Sequence, residues 1–317
     1  MVTGEVRDDV VETADDIAEM EIRGAATIAR AAARALRTQA VESDASDVET
    51  LRGELKAAAR RLYATRPTAV SLPNALRYVL ERATGEDPEQ LQHAVVQATR
   101  QFERRLESAQ TDLGRVGANR LRDGDTIMTH CHSTDVLSMV EAACEQGLDL
   151  SAVVKETRPR EQGRITADEL DDMGVPVTYI VDSAAHRYLD EVDHVCVGAD
   201  SIAADGTVVN KIGTNGLAVS ARERGVEVVV AAQTLKLDPA TLSGHTVDIE
   251  HREETEILDA DERAALGDIE VRNPAFDATP PRYVDAIITE EGQFPPESIV
   301  TLMRDLYGSR PSAPWED

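Results

Sequence analysis

The stretch EVDHVCVGADSIAADGTVVNKIGTNG, residues 191–216, decides the fold predicted for this chain. Its apolar run at residues 194–197 is typical of a buried parallel strand, which ends at Asp200. An Asp-Gly turn follows, and Asn210 and Lys211 then precede the next helical pattern. Open α/β sheets bind ligands outside the carboxyl ends of their strands. We therefore expect this carboxylate, amide and ammonium to lie in a site for a polar, anionic small molecule.

From residue 123 onward, short apolar runs alternate with helical patterns, as in βαβ units. Helices are predicted at residues 134–146, 167–173, 186–189 and 214–224. Strands are predicted at residues 126–129, 152–155, 177–181, 194–197 and 226–231, and less regularly at 246–249 and 284–288. We therefore predict a Rossmann-like α/β catalytic domain over residues 121–317, with a doubly wound, mostly parallel sheet. Dinucleotide binding has little support, because no G-x-G-x-x-G follows the first strand.

Residues 1–120 are predicted to form a helical N-terminal domain. Amphipathic or alanine-rich patterns predict helices at residues 8–20, 23–40 and 50–63. Pro73 is expected in the first turn of a further helix, and Asp87-Pro88 is expected to start a long helix that runs to about residue 115.

The bulk composition limits the possible partners. The chain has 317 residues, enough for a substantial core and two domains. Its 59 acidic and 33 basic residues give a net charge of −26, which indicates a solvated acidic surface adapted to a salty cytoplasm. A nucleic-acid partner is disfavoured, because binding phosphates requires a basic face. In so lysine-poor a chain, lysines that follow strands deserve consideration as ligand contacts, and these are Lys211 and Lys236.

The cysteines and the N-terminal segment indicate a soluble, cytoplasmic protein. Cys131, Cys144 and Cys196 are odd in number and widely spaced, so they form neither a disulfide framework nor a zinc pattern. The first residues lack the basic and apolar regions of a signal peptide. No apolar run approaches the ~18 residues of a membrane helix, so no membrane partner is expected.

Cys131 follows the first predicted strand and precedes a helix N-terminus, where helix amides favour a thiolate and bind anions. The alternative is a small buried cysteine at the end of a strand. His130 and His132 flank it, and an alternating His pair can bind zinc. No further Cys or His cluster completes such a site, so no metal is expected.

Other polar residues follow strands or open helices. Arg158 and Gln162 lie in a polar loop, where they could grip a phosphate and bond hydroxyls or could be solvated surface groups. Asp182 is expected to be only a helix N-cap. Lys236 could be a ligand contact or merely exposed. In the N-terminal domain, a helix start that binds phosphate is predicted at Arg23, Gly24 and Ala25, and Arg66 lies in an extended loop before a proline.

Six segments together resemble one superfamily, which contains the aldose-1-phosphate isomerases and the alpha, beta and delta regulatory subunits of the translation initiation exchange factor. The resemblance runs from Arg23 to about Gly308. The segments are RGAATIARAA (23–32), TRPTAVSLPNALR (65–77), IMTHCHSTDVLS (127–138), ETRPREQGR (156–164), GADSIAADGTVVNKIGTNGLA (198–218) and VRNPAFDATPPRYVDAIITEEG (271–292). The His-Cys-His-Ser sequence is similar to that of ribose-1,5-bisphosphate isomerases, and it draws His132 and Ser133 into the predicted substrate site.

The resemblance implies a Rossmann-like enzyme with no metal and no redox cofactor, assembled as a homo-oligomer (a dimer, or a hexamer that is a trimer of dimers). It implies conversion of α-D-ribose 1,5-bisphosphate to D-ribulose 1,5-bisphosphate in nucleotide degradation. Asp200 is expected to be an acid kept protonated by an apolar pocket, and Cys131 a base with a lowered pKa. Asn210 and Lys211 are expected to hold the enolate oxygen, and Lys236 to close the pocket.

The remaining positive groups are expected to bind the two phosphates: Arg23 with the Gly24 and Ala25 amides, Arg66, and Arg158. Two alternatives remain open. A methylthioribose-1-phosphate isomerase would use the same acid and base with a single phosphate. A non-catalytic regulatory subunit would bind a nucleotide or sugar phosphate and contact translation factors, with Cys131 inert.

Overall fold

The structure, a computed structural model, describes residues 6–22, 24–66, 69–308 and 313–316. The chain divides into two compact units, and the division falls between Ser108 and Ala109. The second unit continues to residue 308 of the described chain, whereas residues 313–316 group with the first. The sequence had suggested a boundary near residue 120.

The first unit is helical, as predicted. Its helices are α1 (Asp8–Ala18), α2 (Ala25–Val41), α3 (Val48–Tyr63), α4 (Ser71–Arg82) and the first part of α5 (Pro88–Ala118). Asp47 caps α3 by accepting a hydrogen bond from the Thr50 amide at 2.8 Å. Pro73 lies in the first turn of α4, where its missing amide hydrogen costs no helix bond. Five of the alanines of α2 are buried, which lets neighbouring helices approach closely: Ala29, Ala32, Ala33, Ala35 and Ala40.

The second unit alternates strands with helices. Its helices are α6 (Thr134–Glu145), α7 (Gly163–Asp172), α8 (Ala185–Tyr188), α9 (Thr214–Arg224), α10 (Ala260–Ala265) and α11 (Ile299–Tyr307). Its strands are β1 (Thr126–Thr129), β2 (Ser151–Lys155), β3 (Val177–Ile180), β4 (His194–Val197), β5 (Ser201–Ile202), β6 (Val208–Lys211), β7 (Glu227–Ala231), β8 (Phe276–Thr279), β9 (Ala286–Thr289) and β10 (Gly292–Phe294).

The main sheet of the described residues has seven strands in the order β10-β9-β7-β4-β1-β2-β3. All neighbours run parallel except the antiparallel pair of β10 and β9. The chain moves outward from β1 through β2 to β3 and then returns to β4 on the other side of β1. The topological switch point therefore lies between β1 and β4, which is where doubly wound sheets bind ligands.

Both faces of the main sheet are buried, and strand alternation separates two apolar clusters. One cluster takes Met128 and Val195, with residues of α8, α9 and α11. The other takes Ile127 and Cys196, with residues of the end of α5 and of α6 and α7. Helices on both faces confirm the predicted doubly wound α/β fold.

The predicted hairpin after β4 is part of a small antiparallel sheet of the order β5-β6-β8. The strand predicted at residues 246–249 is absent, since these residues have no regular structure. The strand predicted at 284–288 is β9, two residues later at its start. Within the described chain, no helix is both long and apolar enough to cross a membrane.

Candidate active site

Cys131 lies in the loop between β1 and α6, with its backbone in the left-handed region at φ 70°. Non-glycine residues rarely adopt this conformation, and such strain persists where surrounding bonds impose it. Two threonines do so here. The Cys131 amide donates to Thr157 Oγ1 at 2.8 Å, and the Thr166 hydroxyl donates to the Cys131 carbonyl at 2.9 Å. The Cys131 sulfur is therefore presented from a fixed loop.

Thr157 is itself held by Asp182. The Thr157 amide donates to Asp182 Oδ1 at 3.0 Å, and the Arg158 amide donates to Oδ2 at 2.8 Å. The prediction that Asp182 only caps the following helix is therefore wrong, because its carboxylate bonds the loop after β2 and makes no side-chain cap bond. Asp182 therefore holds Thr157 in place, and Thr157 in turn holds the backbone of Cys131.

The two histidines beside Cys131 diverge. His130 is buried; its Nε2 lies 2.8 Å from the Ile212 carbonyl and its Nδ1 3.2 Å from Thr157 Oγ1. Burial, aided by the Lys155 charge, lowers the pKa of His130 to about 4, so the ring is neutral at pH 7. His132 instead faces α7, with Nδ1 3.3 Å from Thr166 Oγ1. His130 is thus a structural link from the Cys131 loop to the end of β6.

Ser133 caps α6, and its hydroxyl accepts from the Val136 amide at 3.4 Å. The residue directly after β4, Gly198, must be glycine, since a Cβ at this position would lie 2.5 Å from Ser133 Oγ. This close approach lets the end of β4 lie against the loop after β1. Gly198 therefore brings the segment that carries Asp200 up to the Cys131 loop.

Asp200 follows β4, and its amide donates to the Val209 carbonyl at 2.9 Å. The residue is exposed, so the expectation that an apolar pocket encloses its carboxyl is not met in the described structure. Its electrostatic effect nevertheless reaches Cys131, Lys211 and Lys236. Asp200 and Cys131 therefore belong to one charged cluster at the switch point.

Asn210 and Lys211 are consecutive residues of β6, so strand alternation directs their side chains to opposite faces. Asn210 Nδ2 donates to Thr214 Oγ1 at 3.1 Å. Lys211 Nζ donates to the Ala275 carbonyl at 3.2 Å and lies 5.0 Å from the Phe276 ring centroid. Of the two, Lys211 acts on Cys131. In the free protein the two side chains thus have different hydrogen-bond partners.

The thiol and the lysine affect each other's pKa. Burial raises the pKa of Cys131, and the nearby Lys211 charge only partly opposes this. The expected lowering of the thiol pKa is therefore wrong for the free protein. Burial and the charge of Arg252 lower the pKa of Lys211. Arg252 is a cation that the sequence did not single out, and its guanidinium carbon lies 5.8 Å from the same Phe276 ring centroid.

Lys236 is mostly buried rather than exposed, and its Nζ lies 3.0 Å from Asp135 Oδ2. Burial alone would lower its pKa, but the pKa is raised because Asp135, and beyond it Asp200 and Cys131, attract the ammonium. Asp135 lies in the first turn of α6, four residues after Cys131. The only sign of Asp135 in the sequence is its place at the N-terminus of a predicted helix.

The predicted phosphate contacts stand at the edges of this cluster or in the other unit. The Arg158 side chain is half exposed, with Nη1 3.4 Å from Glu161 Oε1. Gln162 precedes α7, and its Oε1 is buried without a hydrogen-bond partner among the described residues. Gly24, at φ 85°, and Ala25 begin α2 in the first unit, and Arg66 follows α3 there. Arg23 lies outside the described residues.

The model of the Initiation factor 2 subunit family matches residues 21–296. The ribose 1,5-bisphosphate isomerase of Haloferax volcanii is 67% identical over 312 residues, which cover 98% of this chain and 97% of that protein. The protein of the same name from Haloterrigena turkmenica is 63% identical over 315 residues, covering 97% of this chain and 96% of that protein. A methylthioribose-1-phosphate isomerase of Pelotomaculum thermopropionicum is 38% identical over 312 residues, covering 94% and 86%.

Among solved structures, the translation initiation factor eIF-2B of Pyrococcus horikoshii OT3 matches with a TM-score of 0.77 and 30% identity, covering 93% of this chain and 99% of that one. Relatives named as isomerases reach 67% identity over nearly the full length. The chain is therefore an isomerase, and it belongs to the Initiation factor 2 subunit family.

Proposed function

We propose that this enzyme converts α-D-ribose 1,5-bisphosphate to D-ribulose 1,5-bisphosphate. The observation that carries the proposal is the cluster at the switch point, where the thiol of Cys131 and the carboxyl of Asp200 follow β1 and β4 and act electrostatically on Lys211 and Lys236. A pair of acid–base groups suits aldose–ketose isomerisation, and the cations suit an anionic sugar. The names of the relatives at 63–67% identity support the choice of substrate.

In the proposed first step, Asp200 gives a proton to the ring oxygen while Cys131 removes the proton from C2. The C1–O4 bond breaks and a C1–C2 double bond forms, which gives a cis-phosphoenol with its C1 phosphate still attached. In the second step, the Asp200 carboxylate takes the proton from the C2 hydroxyl. Cys131 gives C1 the proton that it had removed from C2. Both groups end as they began, and the carbonyl has moved to C2.

The scheme requires a thiolate on Cys131 and a protonated carboxyl on Asp200, which together hold one proton. The raised pKa of Cys131 favours the opposite arrangement in the free enzyme, with the proton on sulfur. We therefore infer that the proton moves from sulfur to carboxyl once the substrate is bound. Lys211 favours the thiolate by its charge, and the substrate displaces water from Asp200, which raises the pKa of a carboxyl.

The two phosphates require positive groups in addition to this pair. Lys211 and Lys236 stand beside the reacting groups, and Arg158 can reach outward from the loop after β2. His132, Ser133, Gln162 and Asn210 are proposed to contact the sugar. Arg23, Arg66 and the amides of Gly24 and Ala25 remain proposed phosphate contacts.

The alternative within the isomerases is methylthioribose-1-phosphate isomerase, which would hold an apolar thioether in place of the second phosphate. The lower identity of the relative with that name, 38%, favours the bisphosphate. The test is turnover in molar KCl with each sugar supplied separately and the ketose followed. Turnover of ribose 1,5-bisphosphate alone is expected. Turnover of the thioether sugar alone would reassign the substrate, and inactivity of the folded protein on both would support a regulatory role.

The roles of the two reacting groups are tested by Cys131→Ser and Asp200→Asn. Each variant keeps the size of its side chain and removes its proton transfer, so we expect turnover to fall roughly 10²- to 10⁴-fold. The melting temperature should stay near that of the unchanged protein, because each replacement keeps the size of the side chain. Near-normal turnover in either variant would contradict the mechanism.

We further propose that the enzyme is a cytoplasmic homo-oligomer, a dimer or a hexamer built from three dimers, that acts in nucleotide degradation. The acidic composition supports a salt-rich cytoplasm, and the haloarchaeal relatives support the same setting. Light scattering coupled to size-exclusion chromatography in molar KCl gives the assembly mass. A monomer mass under these conditions would contradict the oligomer.

A further inference from the structure

The carboxylate of Asp135 is buried inside the second unit, yet it belongs to no apolar cluster. Its side chain is 1% exposed and that of its partner Lys236 is 15% exposed. The two charged atoms, Lys236 Nζ and Asp135 Oδ2, lie 3.0 Å apart. Burial of an ion pair is costly unless further hydrogen bonds satisfy it, so the pair needs a reason beyond stability.

Gln233 supplies those hydrogen bonds. Its Nε2 donates to Asp135 Oδ1 at 2.8 Å and its backbone amide donates to Oδ2 at 3.3 Å. Its own Oε1 is buried without a hydrogen-bond partner among the described residues. The amide group of Gln233 is thus committed to holding the Asp135 carboxylate in one orientation.

The turn that carries Lys236 is anchored from a second direction. The Glu290 carboxylate accepts hydrogen bonds from the amide and hydroxyl of Thr234, at 2.9 Å for the amide. The Tyr307 hydroxyl donates to the Thr234 carbonyl at 3.1 Å. Glu290, directly after β9, and Tyr307 of α11 thus fix this turn, and α6 fixes the position of Asp135. The Lys236 ammonium therefore has little freedom of position.

The titratable groups that act on Lys236 are Asp135 from α6, Asp200 after β4 and Cys131 after β1. The ammonium therefore stands among both proposed reacting groups, and its one direct ion-pair partner in the described chain is Asp135. Asp135 follows Cys131 by only four residues. The same short segment thus carries the reacting sulfur and the group that holds the neighbouring cation.

We propose that Asp135 is a positioning residue, which holds Lys236 as an oriented ammonium beside Cys131 and Asp200 so that the cation stabilises the negative charge of the bound sugar phosphate. The proposal rests on the proposed isomerisation for its catalytic consequence. Without Asp135, burial would favour the neutral amine of Lys236. The cation would then be lost at lower pH, and its side chain would be free to turn away.

The test replaces Asp135 by Asn, which keeps the shape and removes the charge. We expect kcat/KM for ribose 1,5-bisphosphate to fall about 10- to 100-fold, the range typical of residues that orient the ligands of a catalytic metal. The alkaline limb of the pH profile should move to lower pH by about one unit, because Lys236 loses its proton more readily. Asp135→Glu, which restores the charge, should recover part of both.

A matched control is Asp285→Asn. The Asp285 carboxylate also bonds a backbone amide, that of Val228 at 2.8 Å, and lies near an arginine at the opposite ends of the strands. We expect this variant to lose stability without moving the pH profile. A profile for Asp135→Asn that superimposes on that of the unchanged enzyme, with only a lower melting temperature, would reduce Asp135 to a structural residue and overturn the proposal.

A second readout does not depend on the substrate. With only four lysines in the chain, acetic anhydride labelling followed by mass spectrometry gives the reactivity of Lys236 against pH. Labelling of Lys236 should begin at lower pH in Asp135→Asn than in the unchanged protein. Gln233→Met should shift the labelling in the same direction by a smaller amount, and it serves as the test if Asp135→Asn folds poorly. Unchanged labelling in both overturns the proposal, whereas inactivity of the unchanged protein on ribose 1,5-bisphosphate overturns only the proposed function.

Discussion

At the level of single residues, one hydroxyl fixes the loop that presents the sulfur of Cys131, the proposed base. Thr157 Oγ1 accepts from the Cys131 amide at 2.8 Å and lies 3.2 Å from His130 Nδ1. Thr157→Val keeps the shape and leaves the partly buried Cys131 amide without this partner, so we expect a loss of about 1–3 kcal/mol in the free energy of unfolding and slower turnover. Thr157→Ser keeps the hydroxyl and should behave almost as the unchanged protein. Urea unfolding and turnover in molar KCl provide the comparison, and equal behaviour of the two variants would be evidence against this role.

The charge of Lys211 predicts how the thiol reacts. Burial raises the pKa of Cys131, Lys211 lowers it and Asp200 raises it further. Lys211→Met should therefore raise the thiol pKa and slow iodoacetamide alkylation of Cys131 at a given pH, by roughly three- to tenfold. Asp200→Asn should act in the opposite direction, and Lys56→Met, in α3, is the control. Mass spectrometry of the alkylated peptide across pH measures the effect. Alkylation of Lys211→Met at the rate of the unchanged protein would refute the coupling.

The sequence was a good guide to residues whose position depends on strand ends, and a poor one to residues placed by distant partners. Cys131 and Asp200 follow strands that the apolar runs already marked, so the parallel topology brings both to the switch point. Asp135 accepts a hydrogen bond from Gln233, which lies 98 positions later in the chain. No local sequence pattern predicts this hydrogen bond. Arg252 follows a segment without regular structure. It comes close to Lys211 because both side chains pack near the Phe276 ring of β8.

At the level of elements, the strands of the parallel core were predictable because both faces are buried and each reads as an apolar run. β1 and β4 have the predicted bounds. β8 was missed, since its sequence FDAT has no such run and it pairs with β6 at the edge of a small sheet. The opposite error was made at residues 246–249. Their alternating pattern predicted a strand, but in the structure these residues pair with no other described strand.

One glycine controls how α7 starts against the end of β2. A Cβ on Gly163 would lie 1.8 Å from the Lys155 carbonyl oxygen, and backbone cannot yield as a flexible side chain can. Gly163→Ala should therefore lower the free energy of unfolding by about 3 kcal/mol or more. Gly216→Ala is the matched control, because Gly216 lies in α9 with open space around its added methyl. It should raise stability by about 0.5–1 kcal/mol. Urea unfolding of both variants tests the pair, and a neutral Gly163→Ala would disprove the contact.

At the scale of the whole molecule, the fold class followed from two features of the sequence: the change from helical to alternating patterns near residue 123, and the order of apolar runs. The two apolar clusters on opposite faces of the sheet are a direct consequence of the strand period of two. The division of the chain within α5 had no such signal, because the helix continues through it without a change of pattern.

The net charge of −26 predicts a strong dependence of stability on salt. The Debye length falls from about 10 Å at 0.1 M to about 3 Å at 1 M salt, so repulsion among surface carboxylates weakens as KCl is added. We expect the melting temperature to rise over this range. Replacing five exposed glutamates by glutamine should flatten the rise, since each stands outside the ion pairs seen in the described chain: Glu12, Glu19, Glu107, Glu141 and Glu223. Sucrose at matched osmolality controls for solute exclusion, which stabilises without screening. A melting temperature that responds equally to KCl in both proteins would show that repulsion among these carboxylates is not what salt relieves.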